Sequence, residues 1–429
     1  MEKVNLEITN LGMNFEGIGR KDGKVFFVPF ALDGEIVKAE VIEDKAKFCK
    51  CNLLEILKPS KDRVTPFCPY YEKCGGCDLQ HLLYSKQLEY KTRHVKETIE
   101  KISGLSVEVE PIIASKNIFY YRNKGAFPVS DEIGMFKTGS HEVVNVNQCF
   151  LMKDEITSAY QIVKNFLKEN NIEGYNFKTN RGNVKYIVIR YIAGVTLVCL
   201  VLKNKISNLD LLYKQLSEKL KVGLYLNYYN SFTKDILSKK FEFIAGEKTI
   251  TLNEFDISYQ LDMASFMQIN DDIKEKLYEA VSNEINGEIV IDAYAGAGLL
   301  SAIIARQAKK VYSVEIVKPA SQSAENLKKL NKIENMEVIN GDCAEILPEI
   351  SKSLEKFTAI IDPARAGCDE RVLRSILKAD KIIYVSCNPI TLARDLKFLL
   401  DSHKIEKIQP FDMFPNTKHL ETMVVLKRK

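Results

Sequence analysis

Residues 288–305 read EIVIDAYAGAGLLSAIIA, and this stretch decides the fold class. Glu288–Asp292 has the apolar run of a buried strand. It leads into Ala293-Tyr294-Ala295-Gly296-Ala297-Gly298 and then into a helical run. Glycine lets a backbone turn sharply and lets a ligand approach the chain closely. Further apolar strands are expected at Lys310–Val314, Met336–Asn340, Ala359–Ile361 and Lys381–Ser386, with helices between them. That alternation predicts an α/β architecture, a Rossmann-like doubly wound parallel sheet, over residues 265–429. Polar groups stand where the strands end: Glu315, Asn340-Gly341-Asp342 and Asp362-Pro363. Open α/β sheets bind their ligands at that edge. Glu315 follows the glycines by about 20 positions, where a carboxylate reaches ribose hydroxyls. Asp342 falls where an adenine is read. Position 301 is Ser, so the chain lacks G-x-G-x-x-G, which favours S-adenosylmethionine over NAD.

The last of these strands runs into Ser386-Cys387-Asn388-Pro389 and a helix expected over Thr391–Leu400. Cys387 therefore sits at the ligand edge beside a helix N-terminus, where the dipole favours the reactive thiolate. A thiolate suits methylation of a pyrimidine. C5 of the ring is a poor nucleophile until a thiolate adds at C6, and a base must later remove the C5 proton. A C-terminal strand expected over Lys418–Lys427 alternates Thr417, His419 and Glu421 onto one face. Glu421 is the expected base, and His419 a structural or orienting residue that stays a candidate.

Outward from this half, the 429 residues suggest about three domains. Residues 1–58 carry short strand-like runs separated by turns such as Lys21-Asp22-Gly23 and Asp33-Gly34, the pattern of a small OB-like barrel. Residues 59–264 read as a central α+β domain, with a helix near 85–102 expected to pack on the catalytic domain, a helix over Asp154–Glu169, and strands over Tyr186–Ile192 and Thr196–Val201. A net charge of +4 does not by itself point to nucleic acid. The first residues lack the apolar core of a secretion signal, so a cytoplasmic protein with no membrane contact is expected. Ten cysteines in such a setting call for metal ligands and nucleophiles rather than disulfides. Cys68, Cys74 and Cys77 form a compact trio with Cys149 downstream. Four thiolates hold either zinc or an iron–sulfur cluster, and Cys49 and Cys51 are also available as ligands.

Several ordered motifs resemble the bacterial RNA (uracil-5-)-methyltransferase family. They are Phe266-x-Gln268-x-Asn270, Asp292-Ala-Tyr294, Val314-Glu315, Gly341-Asp342, Asp362-Pro-Ala-Arg-Ala-Gly367, Val385-Ser-Cys387-Asn-Pro-x-Thr391-Leu-Ala-Arg-Asp395 and Phe411-Asp-x-Phe-Pro-x-Thr417-x-His419-x-Glu421. The resemblance implies that Gln268, Tyr294, Glu315, Asp342 and Asp362 line the cofactor and base pocket, that Cys387 is the nucleophile, and that Glu421 is the general base. Residues 68–81, with Cys-Gly-Gly-Cys and His81, are similar to the [4Fe–4S] motif of ribosomal RNA members, whose fourth cysteine matches Cys149. Tyr120-Tyr121-Arg122-Asn123-Lys124 resembles an RNA-contact motif, and the N-terminal barrel resembles a TRAM domain. Two departures stand out: Ala295 where members usually carry Cys, and Leu299 where they often carry a polar residue. The second puts in doubt a side-chain contact to the cofactor at that position.

The expectation is a methyltransferase that uses S-adenosylmethionine to convert a uridine of 23S rRNA to 5-methyluridine. The uridine would be flipped from a loop or bulge, and no obligate protein partner is implied. The alternatives are a tRNA enzyme of the same family, a cytosine-5 RNA methyltransferase, and an RNA-binding assembly factor without catalysis.

Overall fold

In the computed structural model, which describes residues 2–229 and 235–429, the chain begins with a strand that alternates buried and exposed side chains, β1 (Lys3–Leu11). β2 (Gly17–Lys21), β3 (Lys24–Val28), β4 (Ile36–Asp44) and β5 (Phe48–Lys58) join it in a closed barrel of order β1-β2-β3-β5-β4. Val4, Leu6, Ile8, Val28, Cys49 and Cys51 fill its interior. The fully buried Glu35 pins the barrel to the next segment. Its carboxylate accepts from Arg63 Nε at 2.6 Å, and Arg63 also donates to the Phe30 carbonyl.

Helix α1 (Tyr84–Ser103) follows. The central region then runs through β6 (Lys124–Pro128), the hairpin of β7 (Gly134–Phe136) and β8 (Val143–Asn145), α2 (Asp154–Glu169), β9 (Val184–Ile192), β10 (Val195–Leu202), α3 (Leu209–Ser217), β11 (Val222–Tyr228), β12 (Phe241–Gly246), and a second hairpin, β13 (Ile250–Glu254) and β14 (Ile257–Leu261). Its main sheet has the order β12-β11-β10-β9-β6, with only β10 and β11 parallel among its pairs. Every residue of β10 is buried, because α2 and α3 cover one face and the C-terminal elements cover the other.

The remaining elements are α4 (Asp271–Ser282), β15 (Ile289–Ala293), α5 (Leu299–Ala305), β16 (Lys310–Glu315), α6 (Lys318–Leu330), β17 (Met336–Asn340), α7 (Cys343–Lys352), β18 (Thr358–Ile361), α8 (Glu370–Ile376), β19 (Lys381–Ser386), α9 (Pro389–Leu399), β20 (His403–Phe411) and β21 (Glu421–Arg428). They build the expected sheet, in the order β17-β16-β15-β18-β19-β21-β20. The first five strands are parallel, and β21 is inserted antiparallel between β19 and β20. Alternate residues feed two cores. Val290, Ile360 and Ile383 face the core shared with the central sheet, while Ile291, Ile361 and Ile382 face α7, α8 and α9. Val95 and Ile99 of α1 belong to that second core, so α1 lies on the C-terminal sheet beside α9.

One strand differs from its expected span. The ladder begins at Glu421 rather than Lys418, so Thr417 and His419 do not share a strand face with Glu421. Residues 416–419 make their hydrogen bonds elsewhere. Asn416, with φ 65°, gives its carbonyl to the amides of Asp78 and Leu79, and the amide of Lys418 donates to the Asp78 carboxylate. The fully buried Lys91 donates from Nζ to Asp412 at 2.6 Å and to the carbonyls of Phe414 and His419. No helix among the described residues is long and apolar enough to cross a membrane.

Candidate active site

The strand order turns back on itself between β15 and β18, the crevice where doubly wound sheets take ligands. A cavity of about 600 Å³ opens there, lined by Gln268, Tyr294, Gly296, Glu315, Asp362, Arg365, Cys387, Phe414 and Glu421, with Phe266 among its walls. Six of the seven residues expected at the catalytic and cofactor site therefore meet in one space. Asp342 is not among the lining residues. Its carboxylate caps α7 by accepting from the Ala344 amide at 2.9 Å.

The cavity's floor follows from the glycine turn. Tyr294 and Gly296 both have positive φ, and Gly298 packs so tightly that a Cβ would lie 2.7 Å from that of Ala324. The Glu315 carboxylate holds the turn, accepting from the amides of Gly296 at 2.9 Å and Val317 at 2.7 Å. A carboxylate has about four acceptor sites, so two amides leave capacity for ribose hydroxyls. Ser301, where a dinucleotide fold would place glycine, donates its hydroxyl to the buried Asp292. Burial pushes the Asp292 carboxyl up to about 7. Leu299 packs into the core and does not line the cavity, in keeping with the doubt over a cofactor contact there. An acidic group at the ribose position, a glycine turn with an open face and an apolar wall around Val317 and Pro319 fit the nucleoside end of S-adenosylmethionine.

The opposite end holds the reacting groups. Asn388 caps α9 by accepting from the Ile390 amide, and Pro389 starts the helix, which fixes Cys387 in the turn after β19. The last registered pair between β19 and β21 is Ser386 with Thr422. One step further brings Cys387 opposite Glu421. Residues 34 positions apart in sequence thus become neighbours because β21 runs antiparallel against β19.

Burial weighs against the thiolate that the helix start favours. Burial pushes the Cys387 thiol up to about 11, the Glu421 charge adds to this, and the Arg365 guanidinium opposes it. Burial also raises the Glu421 carboxyl well above the ordinary range, reinforced by Asp362 and countered by Arg365. Burial, together with Asp292, raises Asp362. Arg365 is thus the one cation lining this cavity among the described residues. The sequence reading quoted it inside a motif but gave it no role, since nothing in its spacing says that it faces a thiol 22 residues on. His419 lies outside the cavity, half-buried against Phe414, and burial holds its imidazole down at about 4.

A second pocket gathers Cys68, Cys74, Cys77 and Cys149 with Tyr70, Gln80 and Phe150. Gly75 must be glycine for this loop to close, because a Cβ would lie 2.9 Å from the Thr138 backbone nitrogen. Gln80 ties the loop together, donating to Cys77 Sγ at 3.1 Å and accepting from the Cys68 amide at 3.0 Å. Burial raises all four thiols, Cys74 to about 11 and Cys77 to about 12, while Arg122 lowers Cys74, Cys77 and Cys149. Cys49 and Cys51 are closed inside the barrel. Among the described residues, no three His, Cys, Asp or Glu side chains are grouped as ligands of a single metal ion. Zinc would hold four sulfurs about 2.3 Å from one point. A four-iron cluster spreads its cysteines more widely, and four thiols in one lining without an acid, beside the Arg122 guanidinium, fit its anionic charge.

Comparison with known proteins yields the following. Residues 83–429 match the family described as tRNA (Uracil-5-)-methyltransferase, and residues 2–54 match the TRAM domain. An uncharacterized RNA methyltransferase of Clostridium acetobutylicum is 37% identical over 441 residues, covering 98% of this chain and 96% of the relative. One from Caldanaerobacter subterraneus subsp. tengcongensis is 37% identical over 445 residues, covering 100% and 98%. The crystal structure of the Pyrococcus abyssi tRNA (uracil-54, C5)-methyltransferase in complex with S-adenosyl-L-homocysteine is 27% identical, with a TM-score of 0.81, and covers 98% of this chain and 99% of that one.

Proposed function

This chain belongs to the RNA (uracil-5-)-methyltransferase family, and from that premise we propose that it methylates C5 of a uridine in 23S rRNA through a covalent bond from Cys387 to C6. The observation that carries the reading is the placement of Cys387 and Glu421 opposite each other at the cavity that also holds Tyr294 and Glu315. S-adenosylmethionine supplies an electrophilic methyl group when bound, with Gln268, Tyr294, Glu315, Asp342 and Asp362 as its proposed contacts and those of the base.

The Cys387 thiolate adds to C6, and the electron pair of the C5–C6 bond moves onto C5 and the O4 carbonyl. C5 takes the methyl group. Glu421 then removes the C5 proton, the double bond re-forms, and the thiolate leaves. Arg365 favours both anions that these steps need, the thiolate and then the carboxylate. Consuming the thiolate charge at C6 also makes it easier for Glu421 to ionise in time to act as base, because each charge opposes the other. Asp362, half-buried beside this pair, is the proposed contact to the uracil. The four cysteines of the second pocket are proposed ligands of a [4Fe–4S] cluster with a structural role, since methyl transfer needs no redox step.

A tRNA substrate is the second reading. The archaeal tRNA enzyme spans 98% of this chain, so the N-terminal barrel does not by itself favour ribosomal RNA. Incubation with labelled S-adenosylmethionine and unmodified 23S rRNA, 16S rRNA or tRNA, followed by nucleoside identification, tests both. Label in 5-methyluridine of 23S rRNA is the expected result, and label confined to tRNA transfers the assignment.

A further inference from the structure

Beside the cysteine pocket lies a group of aromatic rings that the reaction does not use. Phe67 is 56% exposed and sits 4.9 Å from Phe119 and 5.0 Å from Phe150 between ring centroids. Tyr120, 39% exposed, extends the row at 6.4 Å from Phe150, and its amide donates to the Phe150 carbonyl. Large apolar side chains left open together mark a binding surface. Three chain segments build it, residues 61–73, 116–124 and 147–153, and they carry seven Lys and Arg against two Asp and Glu in a chain whose net charge is +4. Arg63 is paired with Glu35 and Lys153 with Asp271. Arg122 acts on the cysteine pocket, and Lys124 is half-buried. Lys61, Lys73 and Lys116 are exposed, and none of them is ion-paired among the described residues.

The patch is also close to the active cavity. Asn123 lies three positions after Tyr120, at most about 11 Å of chain. Asn123 donates from its amide group to the Gln268 carbonyl in the cavity wall.

We infer that Phe67, Phe119, Tyr120 and Phe150 form a stacking platform for unpaired bases of single-stranded RNA next to the nucleotide in the cavity. The inference rests on the proposed RNA substrate and deepens it, adding a surface that holds the flanking strand. Rings paired with cations along a strand path are the usual means of binding single-stranded nucleic acid without reading its sequence. Phe67 directly precedes Cys68 and Phe150 directly follows Cys149, so the cysteine pocket sets the spacing of the rings.

The chain contains no tryptophan, so Phe67→Trp places a single, selectively excitable tryptophan in the platform. Titration of the full-length variant, without methyl donor, with an unstructured RNA oligomer of mixed sequence should quench its emission saturably. A duplex of the same sequence should quench much less. Phe67→Ala combined with Phe119→Ala should weaken binding of the oligomer by roughly 5- to 150-fold per lost stack, with the affinity for S-adenosylmethionine unchanged by calorimetry. Equal quenching by duplex, or no quenching together with unchanged RNA affinity in the double variant, overturns the platform. The second result assigns the patch to a protein partner instead. Failure of wild-type methyl transfer, by contrast, would strike the proposed function and leave the fluorescence result standing.

Discussion

Cys387 and the quartet Cys68, Cys74, Cys77 and Cys149 begin from the same side-chain chemistry. In both places burial pushes the thiols up and a guanidinium counters it, Arg365 in one and Arg122 in the other. The regions differ in what else is present. Cys387 stands alone at a strand end, lines a cavity of about 600 Å³, and shares it with four carboxylates, Asp262, Glu315, Asp362 and Glu421. The four cysteines line one small pocket in a loop region, and no acid lines it with them. A single thiol beside a base can make and break a bond to carbon, whereas converging thiols satisfy a metal centre. The lesson is that neighbours, rather than the acidity of the thiol itself, assign the role.

The two regions are also joined. Asp78 and Leu79, which follow Cys77, bind the carbonyl of Asn416, and Gln87 bonds to Leu79, Leu82 and Asn416. Lys91 and Tyr84 hold Asp412. The segment leading to Glu421 is thus positioned from outside the catalytic sheet.

The strongest contrast comes from replacing one thiol at a time. Cys387→Ala should reduce methyl transfer by about 10⁴-fold or more while leaving donor binding intact. Cys149→Ser should instead remove iron, which an anaerobic preparation of the unaltered chain should hold at about four per chain. Iron-free wild-type protein would break the contrast. Next in size is Glu421→Gln, which should slow turnover by about 10²–10⁴-fold, with methylated RNA accumulating while still bound to the protein. The join between the regions is tested by Lys91→Met. Removing one partner of a buried ion pair should cost about 3–5 kcal/mol in urea unfolding, and hydrogen exchange should rise across residues 412–421. Unchanged exchange there would mean that the clamp does not position the base.

The smallest effect concerns pH. The Cys387 thiol is held at about 11 and the reactive form is deprotonated, so single-turnover rates should climb about tenfold per unit between pH 6.5 and 8.5. Arg365→Gln removes the cation that favours the thiolate and should shift that profile to higher pH. A profile that falls as pH rises would contradict the assignment of Arg365 and Cys387.

Much of the catalytic half is legible in the sequence because each parallel strand is a short apolar run ending in a polar or glycine residue. β17 and β19 start and stop where that pattern places them, and β15 lies one residue later than Glu288–Asp292. The barrel strands are legible for a similar reason, their alternation being interrupted by turn residues. What the sequence withholds is long-range. Nothing local says that β21 inserts between β19 and β20, which is what sets Glu421 against Cys387. Nothing local says that residues 417–420 leave the strand because Asp78 and Lys91 hold them. The surroundings of Cys387 are hidden for the same reason: a helix start is visible in sequence, but burial and the neighbouring Glu421 are not. β11 and β12 were also not legible as partners, since their pairing joins segments on either side of residues 230–234.

The claim that Cys387 forms the covalent bond is tested most directly with an RNA carrying 5-fluorouridine at the target position. Fluorine at C5 cannot be removed as a proton, so the last steps stall. With S-adenosylmethionine present, the unaltered protein should form a protein–RNA complex that survives denaturation, with Cys387 as the modified residue by mass spectrometry, and Cys387→Ala should form none. A stable complex of equal yield with Cys387→Ala, or methylation of ordinary RNA by that variant, would contradict the account.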